Sequence, residues 1–185
     1  KVMDQYPETG KLPEDEPLLE EAGIRAYSGG SYGERLRQLR APNLEELLRH
    51  HLGTIERGDY FAILAYIEMN QAHETRLQLL RQHVLETKGV ATALGFGPRF
   101  LHSTGQAYKG GPNSGVFLTL TCEDEPDLPV PNRGYEFGVV KTAQALGDFE
   151  VLVERDRRAL RLHLPADVTG AVDRVVELAG RVLGR

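Results

Sequence analysis

The sequence predicts an α/β protein: a three-layer α/β/α sandwich around a mostly parallel, doubly wound sheet of about four strands. Two observations carry that expectation. Tyr60 to Ile67, Val90 to Leu94 and Val116 to Thr121 are continuous apolar runs of strand length, the pattern of strands covered on both faces. Between the first two, Leu77, Leu80 and Val84 form one stripe among Arg76, Gln78, Arg81 and Gln82, which is an amphipathic crossover helix from Glu74 to Thr87 ending near Lys88-Gly89. Strand, helix and strand in that order build a parallel layer.

The remaining elements follow in chain order. Lys1 to Pro17 is polar, with three prolines and the acidic run Glu14-Asp15-Glu16, and reads as tail or linker. Leu18 to Ala22 allows a short helical turn, and Arg35 to Arg40 a brief helix. The cluster Ser28-Gly29-Gly30-Ser31 has the composition of a phosphate cradle, but with no strand of any length before it the cluster reads as a flexible loop. Residues 1–41 are thus a tail and weakly structured lead-in, and 42–185 form the α/β domain. Pro42-Asn43 opens a helix in which Asn43 caps, Glu45 and Glu46 suit the positive end, and Leu44, Leu47, Leu48, Leu52 and Ile55 recur at helical spacing. His50 and His51 adjoin on that helix about 100° apart, so they cannot converge on one metal and read as surface residues. Cys122 to Pro131 is a long connection. A helix carrying Val139, Val140, Ala143, Leu146 and Phe149 follows, with a bend or break expected at Gly147. Leu160 to Leu164 alternates as an edge or half-exposed strand, and Val168 to Leu183 is a closing amphipathic helix.

Composition narrows the function classes. The 185 residues carry a formal net charge of −5, and without a basic patch they do not suit nucleic acid. Cys122 is the single cysteine, so neither an internal disulfide nor a thiolate zinc site can form within one chain, which fits a reducing, cytoplasmic setting. No run approaches ~20 apolar residues, so no membrane partner is expected. Neither metal nor cofactor is indicated. The chain opens on Lys1 and reads as a piece of something longer.

Polar reactive groups crowd into Gly95 to Gly115, between two strands. The glycines and prolines there let backbone approach a ligand, while Arg99, His102, Ser103, Thr104, Gln106 and Lys109 supply cations, a titratable ring, hydroxyls and an amide. The loop leaves the carboxyl end of a strand, where open parallel sheets bind ligands. Lys109 is expected at that carboxyl edge with its ammonium in the crevice. Glu68, beyond the first apolar strand, is a second-rank candidate.

The run Gly95-Phe96-Gly97-Pro98-Arg99-Phe100-Leu101-His102-Ser103-Thr104-Gly105-Gln106, with Lys109-Gly110-Gly111-Pro112-Asn113, resembles the signature near the end of the phosphoglucose isomerase portion of bifunctional transaldolase/phosphoglucose isomerases. Gly58-Asp59-Tyr60-Phe61 and Lys141-Thr142-Ala143-Gln144-Ala145-Leu146-Gly147-Asp148 resemble the same family, so the similarity spans roughly Arg57 to Pro165. It implies the second of two sugar-isomerase (SIS) units, and hence the C-terminal part of a glucose-6-phosphate isomerase of glycolysis, gluconeogenesis and the pentose phosphate pathway. That enzyme interconverts glucose 6-phosphate and fructose 6-phosphate through an enediolate. The resemblance makes Lys109 and His102 catalytic, the lysine stabilising charge on oxygen, with Gln106, Ser103, Thr104 and Arg99 binding substrate. The implied partners are a sugar-phosphate substrate, the remainder of the parent enzyme and a second copy in a homo-oligomer. The family's carboxylate base has no counterpart in the matched segments. The alternative is a non-catalytic sugar-phosphate-binding SIS module, since one fold serves several functions.

Overall fold

The computed structural model describes residues 15–123 and 127–185; most of the expected N-terminal tail lies outside that range. Six strands form one sheet, β1 (Leu19–Glu21), β2 (Ile24–Tyr27), β3 (Tyr60–Tyr66), β4 (Ala91–Phe96), β5 (Gly115–Cys122) and β6 (Arg158–Leu164), in the order β1-β2-β6-β5-β3-β4. The four strands β4, β3, β5 and β6 are mutually parallel, with Ile63 opposite Leu94 on one side and Leu118 on the other. β2 and β1 continue the sheet antiparallel beyond β6. After α1 (Gly30–Leu39), helices α2 (Leu44–Gly53), α3 (Gln71–Lys88) and α6 (Val168–Val182) pack together on one face, while α4 (Thr104–Gly110) and α5 (Phe137–Glu154) cover the other. The doubly wound α/β sandwich therefore stands, enlarged from four strands to six.

Period-two geometry divides the central strand between two cores. Phe61, Ile63 and Ala65 join Leu48, Leu77, Leu80, Val172 and Val175 in the larger core. Ala62, Leu64 and Tyr66 join Phe100, Tyr108, Phe117, Phe149 and Leu152 in the smaller one. All of β3 beyond Tyr60 is buried, the reason its sequence shows no alternation. Asn43 caps α2 as expected, its side-chain oxygen accepting from the Glu46 N–H at 2.9 Å. Asn70 caps α3 in the same way, through the His73 N–H.

The lead-in from Leu19 onward is a correction: it supplies β1, β2 and α1 rather than weak structure. Leu18 to Ala22 is not a helical turn, because Ala22 (φ 51°) and Gly23 (φ 77°) form a two-residue hairpin turn with Glu21 paired to Ile24. Positive φ at both turn residues matches the twist of the flanking strands. The Ser28-to-Ser31 cluster does follow a strand and does open a helix, yet its groups are engaged by the chain itself. The Ser28 hydroxyl donates to the Ala159 carbonyl at 2.8 Å, and the Ser31 hydroxyl bonds the Asp156 carboxylate.

Two further expectations are revised by tertiary contacts. β6 is an interior strand between β5 and β2, not an edge, and Arg161 is 6% exposed with its guanidinium 4.0 Å from the Tyr27 ring centroid. An arginine stacked on an aromatic face satisfies a buried position that reads as polar in the sequence. α5 runs unbroken through Gly147, since Ala145, Phe149 and Leu152 are buried against the sheet and outweigh a propensity cost of ~1 kcal/mol.

His51 is the clearest reversal: it is 0% exposed, with Nδ1 2.8 Å from the Tyr32 hydroxyl. Burial lowers its pKa from 6.5 to about 3 and raises Tyr32 to about 12. A neutral buried imidazole must charge on unfolding in acid, so the unfolded state binds the extra proton. Its contribution is present above pH 6.5 and is lost as pH falls toward 3, by up to ~1.4 kcal/mol per unit. Acid denaturation followed by circular dichroism is expected to show this slope, and His51→Gln to flatten it between those limits; equal slopes in both proteins would refute the assignment.

Candidate functional site

The Gly95 to Gly115 stretch contains more regular structure than a loop. A 3-10 turn (Arg99–His102) leads directly into α4 before β5 begins. Gly97 is required where the chain leaves β4, because a Cβ there would lie 2.5 Å from the Tyr66 ring. Phe100 then anchors the turn: it is 5% exposed and packs edge-on against Tyr66, with ring centroids 5.4 Å apart. This anchor holds the neighbouring polar side chains on the outer surface.

Those side chains line a groove of about 320 Å³ at the carboxyl end of β4. Arg99, Ser103 and Thr104 line it together with Glu74 and Gln78, from the first half of α3, and with the apolar Leu94, Phe96 and Phe100. The Arg99 guanidinium lies 3.6 Å from the Met69 sulfur. The structure thus gathers three of the six residues singled out in the sequence. His102 is exposed on the same turn but does not line the groove. Gln106 is also exposed, and its amide donates to the Leu101 carbonyl at 2.7 Å, bracing the turn.

Lys109 occupies a different place from the one expected. Its carbonyl accepts from the Arg157 guanidinium at 2.9 Å, and its neighbour Tyr108 stacks on Tyr60, the first residue of β3, at 5.8 Å. This backbone therefore lies toward the amino ends of the strands, because α4 has already run back along the sheet to reach the start of β5. The Lys109 ammonium is paired with Asp148 of α5, whose side chain is 3% exposed against 22% for the lysine. Tyr66 lies beside this pair. Burial of its hydroxyl, followed by the charge of nearby Asp148 and a hydrogen bond to that carboxylate, raises its pKa. The arrangement is an internal charge pair, not a cation in the carboxyl-edge crevice.

Glu74 is the groove residue that the sequence reading missed. Glu68 is exposed and accepts from the Asn70 side chain at 3.0 Å, whereas Glu74 is half-buried and faces the groove. The available signal was its position in the first turn of the helix that follows β3. A helix start after a parallel strand lies at the carboxyl edge, and there a carboxylate also suits the helix dipole. Lys141 is a second charged group near that edge, in α5, with Nζ 4.0 Å from the sulfur of Cys122 at the end of β5.

Fold and groove together define a doubly wound α/β protein with a polar cleft at the carboxyl end of its sheet. Among solved structures it is similar to the hypothetical protein TT0462 from Thermus thermophilus, with a TM-score of 0.66 at 16% identity over 81% of this chain. The chain spans 42% of that protein's length, and the likeness establishes the fold alone. No family model matches the sequence, and no curated protein matches it. Among the described residues no helix is long and apolar enough to cross a membrane.

Proposed function

We propose that this chain is the C-terminal part of a cytoplasmic glucose-6-phosphate isomerase, and that the carboxyl-edge groove contacts the sugar phosphate. The observation that carries the reading is the meeting of Arg99, Ser103 and Thr104 with the Glu74 carboxylate in one groove, within the segment that resembles the isomerase family. A guanidinium and two hydroxyls are donors suited to phosphate or sugar oxygens. A carboxylate is a base suited to proton transfer between C1 and C2. The base takes the proton from one carbon and returns it to the other, while electron density passes through an enediolate and donors stabilise the oxygen. Glu74 is assigned the base. His102, exposed beside the groove, is assigned the hydroxyl hydrogen bonds of ring opening. Lys109 acts on the site only through the packing of α4 against α5.

Titration of the chain with fructose 6-phosphate, followed by amide NMR, tests this. Saturable shifts confined to Arg99–Thr104 and the start of α3 are expected, with affinity falling as salt screens Arg99. Binding to the full-length protein that leaves these amides unmoved would refute the assignment.

A further inference from the structure

At the opposite end of the sheet, α1, α2 and the segment before β3 enclose a cavity of about 560 Å³ that the proposed isomerase site does not use. Its size falls within the ~300–1,000 Å³ of small-molecule pockets. The apolar surface comes from Leu36 and from Leu39, a large side chain left 46% exposed. Arg35 on α1 and His50 on α2 line this space, and so does Glu56 of the segment before β3. Arg158 is committed elsewhere: Asp59 accepts from both of its terminal nitrogens, at 2.8 and 2.9 Å, and the Thr54 carbonyl accepts at 2.6 Å. Arg35 is different. Its guanidinium stands 5.5 Å from the Tyr32 ring centroid and has no carboxylate partner among the described residues.

We propose that this cavity is a second small-molecule site, taking an organic phosphate whose apolar or ring body rests on Leu36 and Leu39. A guanidinium held beside an aromatic ring keeps its donor fork for an anion. One arginine fork would satisfy a carboxylate, but donors on two separate helices suit the three terminal oxygens of a phosphate. The exposed leucine explains why the body is apolar: filling the cavity removes its surface from water. The site lies at the amino ends of the parallel strands, so its occupant does not compete with one at the carboxyl-edge groove.

The test is an amide NMR titration of the chain with adenosine 5′-monophosphate, with adenosine and inorganic phosphate as controls. Saturable shifts at Arg35, Leu39 and His50 are expected, with the groove at Arg99–Thr104 unmoved. Adenosine and inorganic phosphate should each bind about tenfold more weakly or worse, and Arg35→Gln should weaken adenosine 5′-monophosphate by a similar factor. The proposal is overturned by shifts confined to the groove, by equal binding of adenosine, or by unchanged binding to a folded Arg35→Gln protein. No saturable shift with adenosine 5′-monophosphate would overturn it equally. The isomerase reading rests on the other end of the sheet and is tested separately by the fructose 6-phosphate titration.

Discussion

Glu74→Gln in the full-length protein is expected to lower kcat for fructose 6-phosphate isomerisation by about 10²–10⁴-fold, the scale of a lost general base. The amide keeps the shape of the carboxylate and its place in the first turn of α3, but it cannot accept the proton. KM should change far less, because the lost interaction belongs to the transition state. Arg99→Gln provides the contrast, since a phosphate contact made equally in ground and transition states raises KM and leaves kcat nearly unchanged. A coupled assay of both variants separates the roles. A Glu74→Gln protein with unaltered kcat would move the base elsewhere, and a full-length protein that binds fructose 6-phosphate without turning it over would be a sugar-phosphate-binding module.

Lys109→Met is expected to act on folding before it acts on catalysis. Removing the ammonium leaves the Asp148 carboxylate, 3% exposed, buried beside the Tyr66 ring. Breaking a buried pair from one side costs ~3–5 kcal/mol, and the partial exposure of Lys109 reduces this to about 2–3 kcal/mol. For a chain of this size that corresponds to a fall in Tm of about 5–10 °C. Lys109→Met with Asp148→Asn should be less destabilised than the two single losses added together, since neutralising the carboxylate removes the uncompensated charge. Calorimetry on the four proteins measures this coupling. Additive losses would show that the pair contributes nothing as a pair. A stable Lys109→Met protein whose turnover falls 10²–10³-fold would restore the lysine to the catalytic role that the resemblance implied.

How far the fold can be read from the chain depends on where each residue's partners lie. β3 and β5 are legible because strands buried on both faces must be apolar throughout, and α2 and α3 because their caps and stripes are local. β1 and β2 are short, and the signal for them was the Ala22-Gly23 turn, which composition alone left ambiguous with a helical start. Arg161 and His51 misled for one reason. Their polarity is answered by Tyr27 and Tyr32, which are remote in the sequence.

A doubly wound α/β sheet and a polar segment leaving the carboxyl end of β4 were legible in the chain, because periodicity and strand order are properties of neighbouring residues. Which polar groups share a space was settled by folding. Glu74 stands across from Arg99 because α3 begins beside the end of β4. Lys109 turns inward because α4 runs back along the sheet and meets Asp148 on α5. A charged side chain's role depends on what lies within a few ångströms of it, and those neighbours come from segments that the chain brings together only by folding.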